Sequence, residues 1–329
     1  MKKIILSISI LFFGFQSKSQ QITISEDDAS NFLEAYFSPI GESFGAGLNN
    51  GWYNTAKPHK LGGFDITLTL NAVSVPNEIQ HFDPNTIPNF SSLDNEIPVL
   101  SPTILGAGEG ATITYNNPNS NPVEFTMPDQ GILKINLIPV PMINAGIGLI
   151  KKTELDFRYL PTYNFDMGFV GKGSVGLWGI GAKHDLLQYI PVVGDAIPMS
   201  LSIQAGHTRF NTSFSVVDPN SSVNQDVSLD INATTINLIV SKKLLMLTAY
   251  AGVGYNSSVT KFSSETSFNI GTSTNPATMN VPLEMKFESQ NEMRANIGLR
   301  FNLAIIALQA NHTFSKYPVT TVGVGVSLR

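Results

Sequence analysis

The chain has 329 residues, no cysteine and a formal net charge of −5. The missing cysteine excludes disulfides and thiolate metal sites, and the acidic balance argues against a nucleic-acid partner. Charged residues make up 14% of the chain, against about 25% in soluble domains, while hydrophobic content is an ordinary 42%. That balance suits a protein whose outer face meets lipid.

Lys2 and Lys3, followed by an apolar run over residues 4–15, read as a secretory signal. Ser17 and Ser19 sit at cleavage spacing, which places the cut after Ser19. The run falls short of the roughly 20 apolar residues a spanning helix needs. Cleavage removes Lys2, Lys3 and Lys18 but no acid, so the remainder is more acidic still. No later segment reaches the run of about 18 apolar residues that marks a spanning helix. The expected organisation is a signal peptide over 1–19, a plug-like helical segment over 20–60 and a barrel over 61–329.

Ser25 is a good helix N-cap, and Glu26, Asp27 and Asp28 place negative charge in the first turn. Phe32, Tyr36, Ile40, Phe44 and Leu48 then form one apolar stripe at i, i+4 spacing. Pro39 and Gly41 interrupt it, which predicts two short helical pieces. Gly45, Gly47 and Gly51 are expected to loosen the end. Phe32, Tyr36, Ile40 and Phe44 are the candidate plug face.

From residue 64 the period changes to two. Phe64, Ile66, Leu68, Leu70 and Ala72 are apolar, and Asp65, Thr67, Thr69 and Asn71 between them are polar. Alternate side chains point to opposite faces of a strand. One such strand fits a soluble sandwich equally well, but the pattern recurs to the C-terminus. Residues 76–130 are rich in Pro, Asn and Ser, and read as a long extracellular loop with a possible hairpin at 112–115 and 123–127. Leu155, Phe157 and Tyr159 alternate with Glu154, Asp156 and Arg158; residues 163–169 continue the alternation. Residues 184–190 look like a short helix. Val227, Leu229, Ile231 and Ala233 oppose Asp226, Ser228, Asp230 and Asn232. Met293, Ala295, Ile297, Leu299, Phe301 and Leu303 oppose Glu292, Arg294, Asn296, Arg300 and Asn302.

Tight turns are expected at 151–153, at 241–243 and near Asn302, with longer connections at 76–130, 217–225 and 262–283. Short periplasmic turns and long outer loops are the asymmetry of single-chain outer-membrane barrels. The fold class is therefore all-β, a closed antiparallel transmembrane barrel of about 10–14 strands with a short N-terminal helical segment. Apolar stretches here exceed the 5–6 residues usual for sandwich strands and approach the roughly 9–11 a spanning strand needs.

Arginine sets the orientation. A Lys or Arg on the lipid face costs about 2–4 kcal/mol at mid-membrane. Arg294 and Arg300 share one face of their strand, so reversing it costs on the order of 4–8 kcal/mol by that figure. The apolar face points to lipid, and an open sheet edge in lipid would leave backbone groups unpaired, so the wall closes. Asp65, Asp156, Arg158, Asp166, Asp230, Arg294 and Arg300 are the candidate lumen charges.

Residues 146–161 (Gly-Ile-Gly-Leu-Ile-Lys-Lys-Thr-Glu-Leu-Asp-Phe-Arg-Tyr-Leu-Pro), 179–191 (Gly-Ile-Gly-Ala-Lys-His-Asp-Leu-Leu-Gln-Tyr-Ile-Pro) and 44–58 (Phe-Gly-Ala-Gly-Leu-Asn-Asn-Gly-Trp-Tyr-Asn-Thr-Ala-Lys-Pro) resemble an uncharacterised family of Bacteroidota outer-membrane barrels. The resemblance implies an outer-membrane barrel and no known substrate. A second, partial likeness is to long-chain fatty-acid outer-membrane transporters, which also place a helical plug before their strands but have more of them. Residues 323–329 are similar to the terminal strand signal read by barrel-assembly machinery, with Leu328 where an aromatic is usual. Outer-membrane lipid and that machinery are the implied partners, with a small solute as a third.

No catalytic, cofactor or metal site is expected. His59, His81, His184, His207 and His312 show no metal-ligand spacing. Gly171, Gly173 and Gly176 match a dinucleotide fingerprint, but no helix follows to receive the phosphates. His207 with Asp218 could serve as base and orienter of a hydrolase, yet no nucleophile is placed. Passive uptake of a small or hydrophobic solute is the first functional expectation. A filled barrel presenting its loops to a partner is the alternative, and an outer-membrane hydrolase a distant third.

Overall fold

The computed structural model describes residues 26–87, 100–115, 123–126, 137–166, 172–190, 198–217, 224–269 and 278–328. The expected signal peptide, Ser25, Met167, Phe169 and Asp218 lie outside them. The chain divides into two units, one of residues 1–41 and 75–136 and the other of residues 42–74 and 137–329.

The second unit is a closed barrel. Its ten antiparallel strands are β1 (Phe64–Ser74), β6 (Leu137–Leu149), β7 (Thr153–Asp166), β8 (Lys172–Asp185), β9 (Ser200–Val217), β10 (Asn224–Leu244), β11 (Leu247–Asn269), β12 (Thr278–Leu303), β13 (Ile306–Phe314) and β14 (Val319–Leu328). Each pairs with its chain neighbours in the wall, and β1 closes the ring by pairing with both β6 and β14. Closure leaves no unpaired edge.

The other unit holds β2 (His81–Phe82) paired with β3 (Ser101–Pro102), and β4 (Thr112–Tyr115) paired with β5 (Val123–Thr126). The expected loop hairpin thus forms outside the wall, and the barrel has ten strands. In this unit Phe32 meets Phe82 edge-on at 6.0 Å between centroids. The Ile104 N–H donates to the Tyr36 carbonyl.

Helix α1 (Glu26–Leu48) contributes residues to both units. It runs unbroken through Pro39, against the expectation of two pieces. An interior proline costs about 3 kcal/mol. The turns after it are held from the barrel wall. Glu42 accepts from Lys316 Nζ at 2.7 Å and from the Tyr317 hydroxyl at 2.8 Å. Phe44 stacks on Phe210 at 5.7 Å. Gly45 and Gly47 do not loosen the helix but let it approach the wall: a Cβ on Gly47 would come within 2.7 Å of Val140 Cγ2. Tertiary contact overrides local propensity here.

The hairpins at one end are short. Lys151 and Lys152 both adopt positive φ, as a type I′ turn requires. Two further turns fall at 245–246 and 304–305, with Leu245 and Ala304 at positive φ. The turn expected at 241–243 is therefore displaced, because β10 continues to Leu244. Residues 184–190 contain only a 3-10 turn at Leu187–Tyr189.

At the opposite end the strands run far past a membrane. β12 has 26 residues and β11 has 23, where about 9–11 suffice to span. Much of the connection expected at 262–283 is strand. The excess explains a reversal of polarity. In the spanning part apolar side chains point outward: Ile66, Leu68, Ile236, Leu238, Ile297 and Leu299 are exposed, while Thr69, Asn71, Thr235, Asn237, Asn296 and Arg300 are buried inside. Further along, Val227, Leu229, Ile231 and Ala233 are buried inside, as are Met285 and Phe287. Their outward neighbours are Asp230, paired in register with Lys261, and Glu284, Lys286 and Glu288. Asp230, expected in the lumen, therefore lies on the outer face. A lipid layer around the exposed apolar belt, with water beyond it, accounts for this change of sign.

Ile297→Arg should destabilise the barrel in lipid vesicles by about 2–4 kcal/mol. Ser228→Arg, outward on the extension, should change stability by about 0.5 kcal/mol or less. Urea unfolding of both variants in the same vesicles checks the boundary. Equal losses would place residue 228 in lipid.

Candidate functional site

Residues 42–63 cross the inside of the barrel from end to end. At the long-strand end Glu42 is bound to Lys316 and Tyr317, in the turn between β13 and β14. Burial and the adjacent Glu42 carboxylate push the Tyr317 hydroxyl's pKa up, so it stays a donor. At the short-turn end Gly62 and Gly63 pair with Gly148 at the end of β6. Between these points most residues of the segment are buried, with Lys57, Lys60 and Leu61 exposed.

Helix α1 ends inside the wall. A helix terminus leaves its last carbonyls without partners and carries about half a negative charge. The helix has no basic residue in its last turn. The wall supplies two. Arg158 of β7 donates to the carbonyls of Leu48 and Asn50. Arg294 of β12 donates to the carbonyl of Asn49 at 2.8 Å and to Asn50 Oδ1 at 2.7 Å. Both guanidinium groups thus end on carbonyl and amide oxygens of the segment. Thr313 Oγ1 also donates to Asn50 Oδ1, at 2.7 Å. Asn71 Nδ2 donates to the Gly47 carbonyl at 2.7 Å.

After the helix the segment is irregular, a run of turns and bends with Gly51 at positive φ. The Trp52 ring lies under the Arg158 guanidinium, 3.6 Å from the ring centroid to Cζ, a cation–π contact. The ring packs flat on Gly181 and Gly206, and a Cβ on Gly181 would reach within 2.8 Å of it. Tyr53 donates to Asn296 Oδ1 at 2.9 Å, and Arg300 donates to Asn54 Oδ1. Ser241 Oγ accepts from the Ala56 N–H at 3.0 Å.

A second charged group clasps the short-turn end. Glu154 accepts from the His59 N–H at 2.6 Å and lies 2.7 Å from His59 Nδ1; its other oxygen accepts from Lys183 Nζ at 2.6 Å. Asp65 faces the same space, 3.9 Å from His59 Nε2. Asp156 is buried beside it, and its Oδ2 finds no hydrogen-bond donor among the described residues. The void beside Trp52, Asp65, Glu154, Asp156 and Lys183 is about 20 Å³, room for roughly one water molecule.

Of the expected lumen charges, the barrel brings together Asp65, Asp156, Arg158, Arg294 and Arg300. Asp166 is exposed near the far end of β7, and Asp230 faces outward. Of the expected plug face, only Phe44 belongs to the barrel unit; Phe32, Tyr36 and Ile40 belong to the other. Asn49, Asn50, Trp52, Tyr53, Asn54, His59, Glu154 and Lys183 were not expected as site residues. For Asn49, Asn50, Trp52, Tyr53 and Asn54 a signal is present, a polar and aromatic run, 49–54, directly after an amphipathic helix. His207 points outward, with Nδ1 2.9 Å from Thr234 Oγ1 and its ring 6.3 Å from Trp178. Among the described residues no group of His, Asp or Glu is placed to hold a metal ion.

Together these features define a closed antiparallel barrel whose interior is occupied by its own N-terminal segment. The chain belongs to the family of unknown function DUF6588, which matches residues 1–328. No curated protein matches it. Among solved structures, the translocator domain of autotransporter NalP from Neisseria meningitidis is similar at 10% identity and a TM-score of 0.33, covering 93% of this chain and 100% of that one. The outer membrane protease OmpT from Escherichia coli is similar at 10% identity and a TM-score of 0.36, covering 85% and 100%. The toluene transporter TbuX of Ralstonia pickettii is similar at 6% and 0.26, covering 83% and 90%.

Arg158→Ala removes the bonds to the Leu48 and Asn50 carbonyls and the stack on Trp52. Each hydrogen bond from a charged donor is worth about 1.5–3 kcal/mol, so the variant should lose at least about 2 kcal/mol of stability. Arg158→Lys should not restore it, because one ammonium cannot reproduce the planar fork. Unfolding in lipid vesicles measures both. A neutral Arg158→Ala would show that the helix end is held elsewhere.

Proposed function

We propose that the protein resides in the outer membrane as a filled, non-conducting barrel that acts through the surfaces at its long-strand end. The observation that carries this reading is the segment 49–59, tied to the wall by Arg158, Arg294, Arg300 and Glu154 with a void of about 20 Å³ beside it. At this level the void beside the segment holds about one water molecule, which favours a closed lumen over a path for a hydrated solute. Extended strands bearing Asp230, Lys261, Glu284, Lys286 and Glu288 on their outward face supply a charged collar beyond the lipid. That collar suits contact with a partner or with solvent.

Passive uptake of a small or hydrophobic solute requires the segment to leave its place. The two readings differ in conductance. Purified protein in a planar lipid bilayer should show no steady open state. The triple variant Arg158→Ala, Arg294→Ala, Arg300→Ala, which frees the segment, should show open events. Steady conductance by the unaltered protein would favour uptake and remove the filled-barrel reading.

A further inference from the structure

We propose that the outer face of the barrel binds a phospholipid with an anionic headgroup, its phosphate held by Lys242 and Lys243 and an acyl chain laid in a groove across β10–β13. The site presupposes the outer-membrane reading and is independent of whether the lumen is filled. The groove has a volume of about 790 Å³ and is lined almost wholly by apolar atoms. Register explains its floor. Lys242 of β10 pairs with Ala249 of β11, Ala249 with Leu299 of β12, and Leu299 with Ala310 of β13. All four side chains are on the outer face and exposed. One step nearer the short turns the same strands carry Leu244, Leu247, Phe301 and Leu308, also exposed. The two alanines therefore leave a low lane beside a raised row. A flexible hydrocarbon chain in such a lane gains close dispersion contact along its length.

The end of the groove selects the headgroup. Lys242 lines it at the short-turn side, two residues before β10 ends at Leu244. A lysine on the lipid face is costly at mid-membrane and tolerated near the interface, so this ammonium belongs at headgroup level. Lys243 follows it, and neither lysine forms an ion pair among the described residues. The apolar belt does not stop there. Leu244, Leu245 and Met246 continue it through the turn, with Leu245 93% exposed. The two ammonium groups thus sit within an apolar surface rather than beyond its edge. The surrounding rim has the same sign, since Lys60, Lys151 and Lys152 are exposed at that end. Its acids are withdrawn: Glu154, Asp156 and Asp185 are buried, and Asp65 faces the lumen. A phosphate tethered to an acyl chain matches both features at once, with a charge-assisted bond at the lysines. A zwitterionic lipid brings its own cation to the same place and gains less. A second copy of the chain in the same membrane would set one lysine rim against another.

Native mass spectrometry of the purified protein reads the site, after titration in detergent with phosphatidylglycerol or with phosphatidylcholine of the same acyl chains. Only variants that keep the heat-modifiable gel mobility of a closed barrel are scored. One phosphatidylglycerol should be retained about tenfold more tightly than phosphatidylcholine. Lys242→Gln with Lys243→Gln should abolish that preference. Ala249→Phe with Ala310→Phe should fill the groove and weaken retention of both lipids. Lys151→Gln with Lys152→Gln, at the same end but on the turn between β6 and β7, should leave the preference in place. Equal retention of the two lipids by the unaltered protein would overturn the site. So would a preference that survives loss of Lys242 and Lys243, or one lost equally with Lys151 and Lys152, which would assign it to diffuse charge. A dimer that Ala249→Phe with Ala310→Phe dissociates would give the groove to a second copy instead. Failure of the folded barrel to enter vesicles of either lipid would remove the membrane reading, and the site with it.

Discussion

The structure depends on how a helix can end inside a membrane barrel. Helix α1 stops at Leu48 within the wall, where its last carbonyls have no access to bulk water. Unmet, each buried carbonyl costs about 1–3 kcal/mol. Arg158 and Arg294 come from strands more than a hundred residues away; Arg158 meets the Leu48 carbonyl, and the two together meet the carbonyls of Asn49 and Asn50 just past the helix end. A guanidinium is suited to this because it stays charged and offers several donors in a fixed fork. The arginines need an oxygen-rich partner to be tolerable in a dry lumen, and the helix end needs cations. Each solves the other's desolvation problem. The path of residues 49–59, the seat of Trp52 on Gly181 and Gly206, and the clasp of Glu154 on His59 follow from that docking.

The wall obeys a second constraint, set by its surroundings rather than its interior. Over the spanning part, lipid outside and polar segment inside demand apolar-out alternation. Beyond the bilayer both conditions change. Water lies outside, and Val227, Leu229, Ile231, Met285 and Phe287 are the buried inner layer, with Phe44 stacked on Phe210 at that level. The strand period of two does not change across the boundary; what changes is which face a given residue type can occupy. A bulge in β12, where residues 290 and 291 oppose residue 257 of β11, shifts the parity of β12 as it crosses.

The barrel was largely legible in the sequence because one signal, alternation with arginine on a single face, repeats in strand after strand. Arg294 and Arg300 alone fixed which face of β12 looks inward. What failed shares a cause. Alternation reports two faces but not what each one touches, so Asp230 was assigned to the lumen when its strand had already left the membrane. Pro39 predicted a break that packing of Phe44 and Glu42 overrides. The turn at 245–246 was misplaced because Leu245 is an unfavourable residue for positive φ and its neighbours carry no turn signal. The lumen segment itself was hidden for another reason. Asn49, Asn50 and Asn54 are polar without periodicity, which in a linear sequence looks like loop. Only the ring of wall residues reveals that they are the ordered core.

Whether the segment is a gate or a filling is decided by magnitude. Its bonds from Arg158, Arg294 and Arg300 include at least five. At about 1.5–3 kcal/mol each for charged donors, withdrawing the segment into a dry lumen costs on the order of 7–15 kcal/mol. Water entering behind it would rehydrate the arginines and lower that figure toward the neutral-bond range of about 0.5–1.5 kcal/mol per bond. Even then about 3–7 kcal/mol remains, and every 1.4 kcal/mol reduces an open population about tenfold. The loss of the Trp52 stack and of the Glu154 clasp adds to it. A spontaneously opening gate would need weak, exchangeable contacts, such as water-bridged hydroxyls. This segment is instead bound by buried guanidinium groups along residues 48–54 and by the Glu154 carboxylate at His59, which favours the proposed filled barrel over a gate. An uptake function would therefore require an external agent able to bind the withdrawn segment more tightly than the wall does.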